Sequence, residues 1–393
     1  MDKEDFIPLS VPVLGGNALP YVSECVETEW VSYVGGYVSR FEDDLAVCSG
    51  APHVAAMNSG TSALHIALIL AGVGEDDEVV MPAITFVSPA NAVRYCGAWP
   101  VFVDISSDDW QLDVDEVERF LEHNCESRDG GLFNKITGRR VAALLPVHLL
   151  GGLADVDRLA ALAQRYDLPL IEDAAEALGA EYKGRKVAEP LPCYPDVRRF
   201  VATSFNGNKI ITTGGGGALF TYSEGDSTRA KHLSTTAKTD PVEFIHDEVG
   251  YNYRMTNMAA ALGCAQLEQL DEHIVRKRAI ARRYAEQLGN HSCIRIMPGS
   301  TDVKATYWLY TVELLGREVM PVIEQLGKKW IQARPLWKPM PQLTYLSKKC
   351  HTEEYAVGAA LQRCAISLPC SVSLGEDAQQ RVSDCLVRIL DHE

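Results

Sequence analysis

His53-Val-Ala-Ala-Met57, Asn58-Ser-Gly-Thr-Ser62 and Ala63-Leu-His-Ile-Ala-Leu-Ile-Leu-Ala71 follow one another without a break. The first five residues form a short apolar run that predicts a buried strand. The polar, glycine-containing turn leads into a helix over residues 61–71. The pattern then repeats. Residues 78–81 predict a strand, and Ile84-Thr-Phe-Val87 leads to a helix around residues 89–95. Strands follow at 100–105, 141–148 and 168–171, with a helix at 114–121 between the first two. Leu153, Val156, Leu159, Ala160 and Ala163 recur at the three- and four-residue spacing of one helix face. This alternation predicts an α/β fold with a mostly parallel sheet covered by helices on both faces. Residues 124–140, with Gly130-Gly131 and several charges, break the pattern and predict an exposed excursion.

Beyond the strand at 218–221, an apolar helix at 258–270 and a charged one at 272–288 precede a different pattern. Strands near 307–314 and 365–368 and a closing helix at 376–390 predict a smaller α+β domain. The expected division is an N-terminal arm (1–30), a large domain (31–271) and a small C-terminal domain (272–393). With 393 residues, 47% hydrophobic and 23% charged, the chain has the composition of an ordinary soluble globular protein. A net charge of −16 argues against a broad nucleic-acid surface and leaves room for a local anion pocket. The longest apolar run, residues 63–73, is shorter than the roughly 18 residues of a membrane span. The start, Met1-Asp-Lys-Glu-Asp-Phe6, lacks the basic-then-apolar pattern of a signal peptide. Eleven scattered cysteines without a C-x-x-C pair fit reduced thiols in a cytoplasm better than disulfides or a metal site.

Three polar sites fall at predicted strand ends, where open parallel sheets bind ligands. Asn58-Ser-Gly-Thr-Ser62 puts free amides and hydroxyls at a helix N-terminus, which suits a phosphate and equally suits an ordinary N-cap. Glu172-Asp173-Ala-Ala-Glu176 ends an apolar strand in carboxylates, which are costly to bury unpaired. Asp173 reads either as a helix cap or as the partner of a protonated pyridine nitrogen. The third is Ser204-Phe-Asn-Gly-Asn-Lys209-Ile-Ile-Thr-Thr, running into Gly214 to Gly217. Small polar residues and a glycine run around one lysine suit a buried nucleophilic amine, such as one that forms a Schiff base with pyridoxal 5'-phosphate. A solvated lysine on a glycine-rich hairpin is the competing reading.

Taken together, these segments resemble the DegT/DnrJ/EryC1/StrS family of pyridoxal phosphate-dependent nucleotide-sugar aminotransferases, within fold-type I. The resemblance also takes in Phe6-Ile-Pro-Leu, Trp30-Val-Ser-Tyr-Val-Gly, Tyr37-Val-Ser-Arg-Phe-Glu42, Thr85-Phe-Val, Pro146-Val-His148 and Gly250-Tyr-Asn-Tyr-Arg-Met255. It implies Lys209 as the catalytic Schiff-base lysine and proton shuttle, with Asp173 on the pyridine nitrogen. Phe86 would stack on the ring, unless it is a plain core aromatic, and Glu176 would lie near the ring hydroxyl. Thr61, Ser62 and Ser204 would hold the phosphate. Asn252 would reach the phosphate of a neighbouring subunit, making the active unit a homodimer.

Phe205 to Gly217, residues 134–139 and Arg334-Pro-Leu-Trp337-Lys-Pro-Met340 are most similar to the LegC and perosamine-synthase-like branch. That similarity implies a nucleotide-linked 4-keto-6-deoxy sugar aminated at C4, with glutamate as donor. Pro341-Gln342 stands where relatives often carry His-x-Gln. His148, Arg334, Trp337 and Lys338 are the candidates for substrate binding, each with a packing alternative. Amination at C3, dehydration of a keto sugar and a non-catalytic sensor are the alternatives. The related dehydratases carry histidine in place of the lysine, so Lys209 weighs against dehydration.

Overall fold

The computed structural model describes residues 6–240, 242–346 and 349–392. The opening stretch forms the strand His53–Met57 and the helix Gly60–Leu70, almost wholly buried. Ser59 caps that helix, its hydroxyl accepting the Ser62 N–H. The central sheet runs, in spatial order, His53–Met57, Gly217–Thr221, Arg199–Ser204, Leu170–Asp173, Arg140–Leu144, Glu78–Pro82, Trp99–Val103 and His351–Thr352. Pairing is parallel from Arg199–Ser204 to His351–Thr352. Gly217–Thr221 runs antiparallel to both its neighbours. Buried strands such as Trp99–Val103, and Glu78–Pro82 after its first residue, read as apolar runs because helices cover both sheet faces.

Two apolar clusters lie on opposite sides of the sheet. One contains Phe41, Phe120, Leu159, Phe205 and Phe220, and the other joins Leu64, Phe102 and Phe200 to residues of the C-terminal half. That half carries its own antiparallel sheet, ordered Ile294–Ile296, Tyr310–Leu314, Ala365–Leu368 and Arg334–Pro335. It is backed by the helices Leu270–Leu288 and Glu376–His392.

Three arrangements go beyond the sequence expectation. Residues 124–140 are an exposed excursion in large part, and an ordered one: Cys125–Arg128 and Gly131–Asn134 form a hairpin that pairs onto Arg140–Leu144. Asn134 is fully buried there and donates to Glu78 Oε2 at 2.8 Å, giving one oxygen of a buried carboxyl a partner. The C-terminal half is not confined to its own sheet, because His351–Thr352 joins the edge of the central one. The N-terminal segment is woven into that half as well. Ile7 bridges Ile331, the Gln332 side chain accepts the Leu9 N–H at 3.0 Å, and the Leu9 carbonyl accepts from Cys370 at 2.8 Å.

Candidate active site

The carboxyl end of the central sheet opens into a cavity of about 540 Å³. Lys209, Asp173, Glu176, Ser204, Thr61 and Phe86 all line it, with Arg334 and Trp337. Lys209 is carried on a loop that leaves the strand Arg199–Ser204. Backbone bonds close the loop on itself, from Phe205 N to Gly216 O at 2.8 Å and from Thr213 N to Phe205 O at 3.0 Å. Phe205 and Ile211 anchor it in the core, the former edge-on to Phe41. The glycine run has two uses. Gly214 adopts φ +80°, and Gly217 lies so close to the Ser59–Gly60 turn that a Cβ would sit 2.4 Å from the Ser59 carbonyl carbon. Lysine loop and polar turn are thereby pressed together.

Burial lowers the Lys209 amine below its ordinary value, while Glu176 and Asp173 push in the opposite direction. The Lys209 Nζ lies 3.9 Å from Glu176 Oε1. Burial raises the Glu176 carboxyl to about 7, against the pull of Lys209 and of the Leu150 amide. That amide donates to Glu176 Oε2 at 2.7 Å from a residue held at φ 60°. A left-handed, fully buried leucine is an uncommon conformation, and here it aims an N–H into the site. Burial also raises Asp173, whose Oδ1 accepts the Ala175 N–H at 2.9 Å. Among the described residues, Asp173 makes no ion pair.

The neighbouring Glu172 behaves differently. Burial would raise it, yet Arg199 and His148 hold it at about 2. His148, a candidate for substrate binding, does not line the cavity. It is fully buried, its Nε2 faces Glu172 at 3.0 Å, and its Nδ1 accepts the Ala154 N–H at 3.2 Å. Both ring nitrogens are thus engaged by protein groups.

Of the phosphate candidates, Thr61 and Ser204 line the cavity and Ser62 does not. The Ser62 hydroxyl donates to Asn58 Oδ1 at 2.6 Å within the helix cap, and Ser59 and Gly60 take its place in the lining. Phe86 is no core aromatic: 51% of it is exposed, on the cavity wall. Lys338 is exposed outside the lining, whereas Arg334 is exposed within it. Asn252 is exposed outside its own chain's cavity, its carbonyl accepting the Asn58 side-chain N–H at 3.1 Å. Sequence reasoning missed Trp308, Gln332 and Ser10 as lining residues. They belong to distant segments with no local polar or glycine signal, and only folding brings them together.

The residues present fit pyridoxal phosphate. Asp173 is a buried carboxyl that makes no ion pair among the described residues and shares the cavity with the Lys209 amine, which suits it to a pyridinium nitrogen. Thr85 Oγ1 is a buried hydroxyl at the wall without a protein partner. Ser59, Gly60 and Thr61 begin an eleven-residue helix whose free amides suit a phosphate. Fold and site together define a pyridoxal phosphate-dependent enzyme built on an α/β sheet.

The chain belongs to the DegT/DnrJ/EryC1/StrS aminotransferase family, whose description it matches over residues 12–387. It is 37% identical over 391 residues to EpsN of Bacillus subtilis, assigned as a pyridoxal phosphate-dependent aminotransferase, covering 98% of this chain and 95% of that one. It is 34% identical to the GDP-perosamine synthase of Caulobacter vibrioides, with 98% of each chain covered. The crystal structure of S. venezuelae DesV, in complex with a ketimine intermediate, superposes with a TM-score of 0.85 at 27% identity. That match covers 97% of this chain and 98% of DesV. The protein is thus a pyridoxal phosphate-dependent aminotransferase. No helix among the described residues is long and apolar enough to cross a membrane.

Proposed function

We propose that the chain transfers an amino group from glutamate to the C4 keto carbon of a nucleotide-linked 4-keto-6-deoxy sugar carried on UDP or GDP. The observation that carries this reading is the largely buried Lys209 amine, set near Glu176 and Asp173 in a cavity rimmed by the exposed Arg334. The full-length resemblance to a GDP-perosamine synthase supports the sugar class. Pyridoxal phosphate, when bound, supplies an electron sink that weakens the C–H bond of the amino-bearing carbon. Asp173 keeps the pyridine nitrogen protonated, and Thr61 and Ser204 hold the phosphate with the helix N-terminus. Phe86 would cover the ring of the bound cofactor and Glu176 would serve its hydroxyl. Lys209 takes a proton from one carbon and returns it to another. Its burial matters, because only the neutral amine can act as a base. Donor and sugar occupy the cavity in turn, with Arg334 and Trp337 meeting the sugar nucleotide.

The proposed active unit is a homodimer in which Asn252 of one protomer reaches the phosphate held by the other. The exposed apolar run of Trp30, Val31, Tyr33 and Val34 supports such an interface. The eleven free cysteines support a reducing, cytoplasmic setting.

Turnover against a panel of UDP-, GDP- and dTDP-linked keto sugars, with products identified by NMR, tests the substrate. A C4 amine is expected; a C3 amine moves the assignment to the other ring position, and inactivity on every keto sugar overturns it. Lys209→Ala is expected to abolish multiple turnover and the absorbance of the lysine-bound cofactor. Normal turnover in that variant would remove Lys209 from the mechanism.

A further inference from the structure

We propose that Trp308 is a positioning residue for Lys209, its indole face being the seat of the amine whenever that amine is not covalently engaged. The inference rests on the aminotransferase reading for its purpose and on independent geometry for its content. The Lys209 Nζ stands 4.0 Å from the centre of the Trp308 ring. An indole face attracts an ammonium more than a neutral amine, and most where water is excluded. Trp308 is only 5% exposed, so the contact is largely dry.

Nothing about the ring is left loose. Its Nε1 donates to the Asn208 carbonyl, one residue before the lysine, at 2.7 Å. Its own carbonyl accepts from the buried Lys277 Nζ at 2.8 Å, and the same amine reaches the Cys370 carbonyl at 2.6 Å. Gly151 packs so tightly beneath that a Cβ there would lie 2.6 Å from Trp308 N. Trp337 lies parallel to it, with 6° between planes and centroids 6.3 Å apart.

The charged groups sharing the cavity with the amine are Glu176 and Asp173 on one side and Arg334 at the rim. Burial drives the amine toward its neutral form, and the indole face opposes that drive without adding a charge. The result is a lysine that leaves its covalent bond and finds a fixed place beside the reacting atoms. The C-terminal half supplies that place, so its seating on the large sheet bears directly on the catalytic amine.

The test is competitive labelling of the full-length, cofactor-free protein with trace acetic anhydride across a pH series, Lys209 being read by mass spectrometry. Trp308→Phe keeps an aromatic face and is expected to label within about twofold of wild type. Trp308→Leu removes it and is expected to shift the Lys209 midpoint to lower pH, with roughly three- to tenfold faster labelling near neutrality. Biosynthetic fluorination of tryptophan keeps ring shape and weakens its attraction for cations. It is expected to move the midpoint the same way in a folded protein if the leucine variant misfolds. A midpoint unchanged or raised in the ring-free variant, or unmoved by fluorination, overturns the proposal. Since no turnover enters the measurement, its failure is separable from failure of the sugar assignment.

Discussion

Glu176 Oε1 lies 3.9 Å from the Lys209 amine, outside hydrogen-bond reach, and burial raises its carboxyl from the ordinary 4.5 to about 7. The folded chain therefore holds a proton on Glu176 that the unfolded chain releases. Stability falls as pH rises from about 4.5 to about 7, the window between the unfolded and folded values. Glu176→Gln removes that fall. In the cofactor-free protein its stability relative to wild type is expected to grow by roughly 1–3 kcal/mol between pH 5 and 8, read by urea denaturation. A constant difference across that range would show that the carboxyl does not titrate there. At this scale the sequence was informative for residues with a local signature. Lys209 in its glycine-rich loop and Asp173 at a strand end both reach the cavity. His148 and Ser62 do not, because a side chain's direction and its competing partners belong to the folded surroundings.

Among elements, the join between the polar turn and the lysine loop is the one most sensitive to a single atom. A Cβ on Gly217 would meet backbone on both sides of the Ser59–Gly60 peptide, at 2.4 and 2.5 Å. Backbone cannot rotate away as a side-chain tip can. Gly217→Ala is therefore expected to cost roughly 1–3 kcal/mol in urea denaturation and to weaken cofactor retention on dialysis. Gly225, exposed in the first turn of the helix Glu224–Ser234, has open space around it, and Gly225→Ala is expected to be neutral or to stabilise by about 0.5–1 kcal/mol. Equal effects from the two would sink the close-approach argument. Strand and helix periods were legible along most of the chain because burial imposes them locally. The Cys125–Asn134 hairpin was not, since its polar, glycine-bearing residues earn a place in the sheet only through pairing with Arg140–Leu144.

For the whole molecule, the proposed sharing of sites between protomers makes a prediction that one chain cannot. Lys209→Ala and Asn252→Ala homodimers each carry two damaged sites. If Asn252 acts across the interface, subunits mixed after dissociation form heterodimers with one site doubly damaged and one intact. Turnover of the mixture is expected to recover to roughly a quarter of wild type. No recovery above the mean of the parents would place Asn252 in its own chain's site. By itself, the sequence determined the alternating α/β order, the strand-end location of the lysine, carboxylate and polar turn, and the family they belong to. Each is written in neighbouring residues, as periodicity, capping or glycine content. Tertiary structure alone decided which hydroxyl faces the cavity and that the N-terminal segment and His351–Thr352 tie the two halves together. It also decided that Trp308, about a hundred residues downstream, lies against Lys209. Those contacts join segments far apart in the chain, and burial and backbone pairing, rather than any local pattern, bring them together.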